Sequence, residues 1–252
     1  MNSILVHIHE SIATITLQRP EKRNALNAEL LAELKATFMS LSVDNTIRVI
    51  ILEGAGKAFC AGADLEYLQK ISEYSIIDNF SDSRLLQETF HTIYTCPKPV
   101  IAKVHGPAIA GGCGLASVCD FVVAGRDKAI FGYSEVKIGF VAAIVMVYLL
   151  KKIGDTRTRN LLLTAENISA SEAERIGLIS HVVDDNVLDD TVQQLANSLI
   201  KNSASSLMIT KEMLRNLHGM SLEDGLRYAS AMNAFTRMTD DCKNGIASFL
   251  RS

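Results

Sequence analysis

Three stretches of this 252-residue chain hold residues whose types and spacing suit chemistry. In RVIILEGAGKAFCAGADL, a run with strand character enters a glycine-rich loop that opens a helix capped by Asp64. VIAKVHGPAIAGGCGLA repeats the form, with Gly111, Gly112 and Gly114 close together and no charged residue between 108 and 119. A helix start leaves N–H groups without intrahelical partners and carries the positive end of the helix dipole. Glycine lets a ligand approach that backbone closely. Two such loops side by side can aim two N–H groups at one oxygen, which is the geometry of an oxyanion hole. From spacing alone, two tight strand-to-helix turns are the commoner outcome. The third stretch, FGYSEVKIGF, sets Glu135 between apolar runs. A lone glutamate is most often solvated. One that faces an apolar pocket has a raised pKa and can shuttle a proton near neutral pH.

Other constellations fall away. EGAGKAF lacks the GxxxxGK[ST] spacing of a phosphate loop, and the chain has neither GxGxxG nor GxSxG. His7 and His9 share one face of a terminal strand and read as exposed surface rather than as metal ligands. His105 has no Ser or Cys arranged with it and reads as structural. No metal site is expected. The five cysteines are odd in number and form no CxxC pair, as expected of buried thiols in a reducing, cytoplasmic setting. A net charge of −3 without a dense Lys/Arg block argues against nucleic-acid or membrane-surface partners. The start, MNSILVHIHE, does not read as a signal peptide. The apolar run 138–150 is shorter than the ~20 residues that span a bilayer. It is predicted as a buried helix that leaves through Lys151 and Lys152 to Gly154.

The elements that must position these residues follow from periodicity. Alternation predicts two strands within 3–18, with a turn at Glu10–Ser11. Helical spacing predicts a helix over 28–42 behind Asn27 as N-cap. Strands are expected at RVIILEG, PVIAKV, DFVVAG and AIFG, and helices at 78–94, 169–176, 186–202, 205–217 and 221–237. Strands with crossover helices, followed by a helical tail, fit an α/β architecture.

At these residues the chain resembles the crotonase, or enoyl-CoA hydratase/isomerase, superfamily. The resemblance rests on RPEKRNALN, AFCAGADL, CPKPVIAKVHGPAIAGGCGLASVCD, FGYSEVKIGF and LLLTAENISASEAERIGLISHVV, in that order, and on the tail ending GIASFL. It implies a spiral of ββα units over 1–190 and a C-terminal helical trimerisation region over 191–252, in homotrimers or hexamers built as dimers of trimers. It also implies an acyl-CoA thioester as substrate, in fatty acid metabolism, and no cofactor, coenzyme A being part of the substrate. By motif position the thioester oxygen would meet the N–H groups of Ala63 and Gly111. Arg23, Ala25 and Leu26 of one loop, and Gly62, Asp64 and Leu65 of the other, would hold the CoA.

Typical hydratases of the family carry two glutamates. The position that matches one is Glu135, whereas the other, three residues after the glycine donor, is Gly114. The EVKIGFVAAIV pattern is similar to the branch of methylglutaconyl-CoA hydratases and related decarboxylases. The expected activity is hydration of a short or branched enoyl-CoA through a stabilised enolate. The alternatives are Δ3,Δ2-isomerisation or decarboxylation with Glu135 alone, and a scaffold that binds acyl-CoA without turnover.

Overall fold

The computed structural model describes residues 3–251, all but the side chain of Leu65. Strands β1 (Ile4–His9) and β2 (Ile12–Leu17) form an antiparallel hairpin. From β2 onward a parallel sheet grows through β3 (Val49–Gly54), β4 (Val100–Val104), β6 (Phe121–Gly125) and β9 (His181–Val183), in the order β1-β2-β3-β4-β6-β9. A second, three-stranded sheet joins β5 (Ala108–Ile109), β7 (Ile130–Gly132) and β8 (Ile168–Ser169). The crossovers are α1 (Ala28–Val43), α2 (Leu65–Ser72), α3 (Ile76–Thr95), α4 (Gly111–Ser117), α5 (Ala143–Thr164) and α6 (Ala170–Arg175). Helices α7 (Leu188–Ile200), α8 (Ala204–Leu217), α9 (Leu222–Thr236) and α10 (Asp240–Phe249) complete the chain.

The sequence pattern accounts for the layers. β3 and β4 are apolar nearly throughout because both their faces are covered. On one face Leu30, Leu34, Phe38, Leu52, Phe90 and Val104 share a core, formed as α1 packs on α3. On the other, α7 lays Leu188, Val192, Ala196 and Leu199 against Ile51, Ile101 and Val123. Asn27 caps α1, as expected, by accepting from the Leu30 amide at 2.9 Å.

The predicted buried helix over 138–150 is corrected. Glu135–Ile138 is a 3-10 turn ended by Gly139 at φ 74°, and helix begins only at Ala143. It runs on to Thr164 across a break at Gly154, where φ is 76° and ψ 174°. Ile138, Phe140, Val141, Val147 and Leu150 are exposed, so the run packs only in part. The short strands β5, β8 and β9 were not anticipated. Each is two or three residues long, too short to show a period.

Candidate functional site

Four loops meet beyond the carboxyl ends of the parallel strands, where open α/β sheets form crevices. Their backbones are laid side by side. Leu26 bridges Ala63, Cys60 bridges Ala108, and Ala108 pairs with Phe131 in β7. The Leu26 amide donates to the Gly62 carbonyl at 2.6 Å, and the Asp64 amide to the Leu26 carbonyl at 2.9 Å. The Ile109 amide donates to Cys60 at 3.0 Å, and the Ala110 amide to Gly132 at 2.7 Å. Residues 23–26, 60–64, 108–114 and 130–135 thus become one surface.

Glycine permits this proximity at two points. A Cβ on Gly112 would lie 2.1 Å from the Cys60 carbonyl oxygen. Gly62, at φ +91°, would place its Cβ 2.9 Å from Ala110 Cβ and 3.5 Å from the Gly111 nitrogen. The two glycine loops are therefore in contact. Ala110, just before α4, adopts φ 51° and ψ −125°, a conformation that alanine rarely takes. Such local strain persists only where the surroundings enforce it. Among the described residues, neither the Ala63 nor the Gly111 amide donates to a protein acceptor.

The carboxylate side is built differently. β7 delivers the chain to Glu135 at the start of the 3-10 turn, beside the first turns of α4. Glu135 is half-buried, and its Oε2 is buried without a hydrogen-bond partner. Burial holds this carboxyl above the ordinary value of 4.5, against a lowering by its own backbone N–H. Gly114 faces α5. A Cβ there would lie 2.3 Å from a Val145 γ-methyl and 3.0 Å from the Phe90 ring. Apolar groups thus fill the place where a second carboxylate would begin.

The remaining predicted residues fall into two groups. Arg23 is exposed, with φ 51°, and its carbonyl accepts from the Ala61 amide at 3.0 Å. Ala25 and Leu26 are buried, so their side chains shape the site from beneath. Asp64 is also buried. It accepts from Arg19 Nη2 at 2.7 Å and from the Glu66 amide at 3.1 Å, which commits both of its oxygens to the scaffold. The Leu65 side chain lies outside the described residues.

Sequence reasoning missed Arg19 and read Asn24 only as part of the loop that would hold the CoA. Arg19 also donates to the Ala25 carbonyl. Asn24, fully buried at φ 56°, accepts from the Arg19 amide and donates to Ala55 and Ala58 at 2.8 and 2.9 Å. A polar residue within a run of tight turns was the available signal.

Lys152 is likewise no helix exit. Its Nζ donates to the Ser117 carbonyl at 2.8 Å, at the C-terminal end of α4, and burial lowers its pKa. His7 and His9 are exposed as expected, and His105 Nε2 pairs with the Gly56 carbonyl at 3.0 Å. Among the described residues no group of three His, Cys, Asp or Glu side chains could hold a metal ion, and no helix is long and apolar enough to cross a membrane.

Two free amides and a neighbouring carboxyl of raised pKa can stabilise an oxyanion and move a proton beside it. The comparisons with known proteins agree in kind. The enoyl-CoA hydratase/isomerase family profile matches residues 7–252. A Thermus thermophilus protein named "Putative enoyl-CoA hydratase" is 43% identical over 238 residues, 94% of each chain. The 2,3-dehydroadipyl-CoA hydratase of Escherichia coli is 31% identical and aligns over 100% of this chain and 96% of its own. The crystal structure of an enoyl-CoA hydratase from Mycobacterium smegmatis superposes with a TM-score of 0.93 at 31% identity, covering 99% of this chain and 96% of that one. The chain is a member of the enoyl-CoA hydratase/isomerase family.

Proposed function

We propose that this enzyme hydrates a short or branched enoyl-CoA thioester with Glu135 as its one acid–base carboxylate. The Ala63 and Gly111 amides accept the thioester oxygen as it gains charge. Each such donor is worth about 3 kcal/mol in the transition state. Water adds at C3 as Glu135 takes its proton, and the enolate then collects that proton at C2. Coenzyme A arrives with the substrate, with Arg23 as a phosphate partner, and no cofactor is called for.

The observation that carries this reading is Glu135 Oε2, buried and without a partner three residues beyond the strand that pairs with β5. The names of relatives support hydration. Val145 and Phe90, closing the space beside Gly114, support a short chain. The same pair favours a second reading, Δ3,Δ2-isomerisation, because moving a proton from C2 to C4 needs only one carboxylate.

Exposed Leu222, Leu226, Phe235, Met238, Ile246 and Phe249 on and beside α9 and α10 support assembly into a homotrimer or a dimer of trimers. Five free thiols, four of them buried, are in keeping with a cytoplasmic enzyme.

The test is product analysis on crotonyl-, 3-enoyl-, 3-methylglutaconyl- and methylmalonyl-CoA. Hydration of the first or third is expected. Turnover of the 3-enoyl ester alone would replace hydration with isomerisation, and loss of CO2 from the last alone would replace both. The Glu135→Gln variant is expected to lose at least ~100-fold in kcat while binding CoA esters. Wild-type kcat should rise with pH through the raised pKa of Glu135, because the base works ionised.

A further inference from the structure

The two proposed donors differ in what stands behind them. A peptide unit is planar and, when trans, points its N–H opposite to its C=O. The Ala63 N–H shares its unit with the Gly62 carbonyl, and no peptide bond among the described residues is cis. That carbonyl accepts from the Leu26 amide at 2.6 Å. The Leu26 N–H in turn shares its unit with the Ala25 carbonyl, which accepts from Arg19 Nη1. Two peptide units thus lie head to tail between the Arg19 guanidinium and the Ala63 N–H. The Gly111 N–H shares its unit with the Ala110 carbonyl, which accepts from the Gly114 amide at 3.0 Å in the first turn of α4. One donor is backed by its own helix, the other by a side chain.

Arg19 is held so that it can aim its chain of peptides. Its other arm, Nη2, bonds Asp64 at 2.7 Å, and Asp64 is fixed in turn by the Glu66 amide at 3.1 Å. The fork therefore grips both sides of the Leu26–Ala63 bridge, at Ala25 on one and at Asp64 on the other. The Arg19 and Asp64 side chains are 16% and 6% exposed, so water competes little for these bonds. Each peptide carries a dipole of about 3.5 D, and aligned hydrogen bonds polarise one another. A cation at the head of such a chain makes the N–H at its far end a stronger donor. The Asp64 carboxylate offsets part of that charge, so direction outweighs field. A planar fork with one arm fixed sets where the Ala25 carbonyl points, and through it the Ala63 N–H.

We propose that Arg19 is a positioning residue, whose guanidinium aims the Ala63 N–H at the thioester oxygen through the Ala25–Leu26 and Gly62–Ala63 peptide units. It acts through the backbone and touches no substrate. This inference rests on the donor role of Ala63 in the proposed function, and not on which reaction follows.

Two variants test it. Arg19→Lys keeps a positive charge for Asp64 but loses the fork that reaches Ala25 at the same time. Arg19→Met with Asp64→Asn removes both charges, so that no buried carboxylate is stranded. Each is compared with wild type in kcat and KM for crotonyl-CoA and in exchange of the C2 protons of butyryl-CoA with D2O. The third readout is the infrared stretch of the 13C-labelled thioester carbonyl of bound butyryl-CoA, which falls as its oxygen accepts stronger hydrogen bonds. The expected result is a loss of at least ~10-fold in kcat and in exchange, since a misplacement of about 1 Å costs ~100-fold. KM should change little, and the carbonyl stretch should stay closer to its value in free solution. A rise in KM with the wild-type stretch kept would make Arg19 a ligand of CoA and overturn the proposal. A lower melting temperature with wild-type kcat and stretch would make it a staple of the fold and overturn it too. If wild type lowers the stretch and exchanges protons but hydrates no enoyl-CoA, hydration fails, and exchange and stretch still decide for or against Arg19. If wild type lowers no stretch, the donor reading fails and this proposal with it. Should the double variant not fold, Arg19→Lys decides under the same criteria.

Discussion

Gly112 and Gly114 lie two residues apart in one short helix, and each lacks a Cβ for a different reason. At Gly112 the space belongs to a backbone atom, the Cys60 carbonyl oxygen. At Gly114 it belongs to a side chain, the γ-methyl of Val145. The first contact fixes the proposed oxyanion side of the site, where loops are bonded main chain to main chain. The second shapes the proton side, where a helix face decides which side chains fit. Main-chain geometry is shared by any sequence that keeps the glycines. Side-chain packing can change without moving the backbone, and here Val145 and Phe90 fill the space that a side chain at 114 would need.

The largest effect is expected at Gly112. In Gly112→Ala the new methyl meets the Cys60 carbonyl, which is held by Ile109 and cannot swing aside. Overpacking of this kind costs about 3 kcal/mol or more, and moving the 60–64 loop should remove turnover with it. Denaturant unfolding and kcat measure both. A variant of normal stability and activity would show that the two loops are not locked together.

Gly111→Pro is next. It deletes one N–H, and kcat should fall at least ~100-fold. The flexible tip of Leu26, 3.0 Å from the Cβ position, can yield to the ring. Ala110, at φ 51°, is less tolerant, because proline restricts the residue before it. Circular dichroism and CoA-ester binding must therefore accompany the kinetics. Unchanged kcat in a folded variant would remove Gly111 from the donor pair.

These two glycines also mark the limit of what the sequence discloses. The two connections of strand, glycine turn and helix start were legible because local rules write them, with caps at Asn27 and Asp64, whereas their reading as an oxyanion hole came from the family resemblance. The absence of a carboxylate at 114 was legible too, as a departure from a family pattern. What fills its place was not. Val145 sits on a helix 31 positions along the chain, within an apolar run that reads as core. That run misled for the same reason. Periodicity records apolar residues but not what they meet, and here Ile138, Phe140 and Val141 stay at the surface. Asp64 was read as a ligand for CoA. Its bond to Arg19 depends on a contact across 45 positions, which no local pattern encodes.

A smaller effect sharpens the contrast between the two glycines. Gly114→Glu alone should destabilise the fold by about 1–3 kcal/mol, since its Cβ strikes Val145 and its charge enters an apolar wall. Adding Val145→Ala should recover part of that loss, because a side chain can be trimmed where a carbonyl cannot. Coupling between the two substitutions, read as a double-mutant cycle in urea, is the measurement. Purely additive losses would mean that Val145 is not what closes the site to a second carboxylate.

The smallest effect concerns stability alone. Glu135 binds its proton more tightly in the folded chain than in the unfolded one, because burial raises its pKa. Stability therefore falls as pH rises from the unfolded value of about 4.5 through the folded one, and the penalty is fully present above both. Glu135→Gln removes the charge and keeps the shape. Its melting temperature should exceed that of wild type by a few degrees at most at neutral pH, ~1 kcal/mol corresponding to ~2–4 °C in a chain of this size. The gain should vanish below about pH 4, where both forms are neutral. Such a gain marks a group kept for activity at some expense of stability. A neutral-pH loss in this variant would mean that Glu135 is held by contacts its carboxylate needs, and that the proton side is as tightly fixed as the oxyanion side.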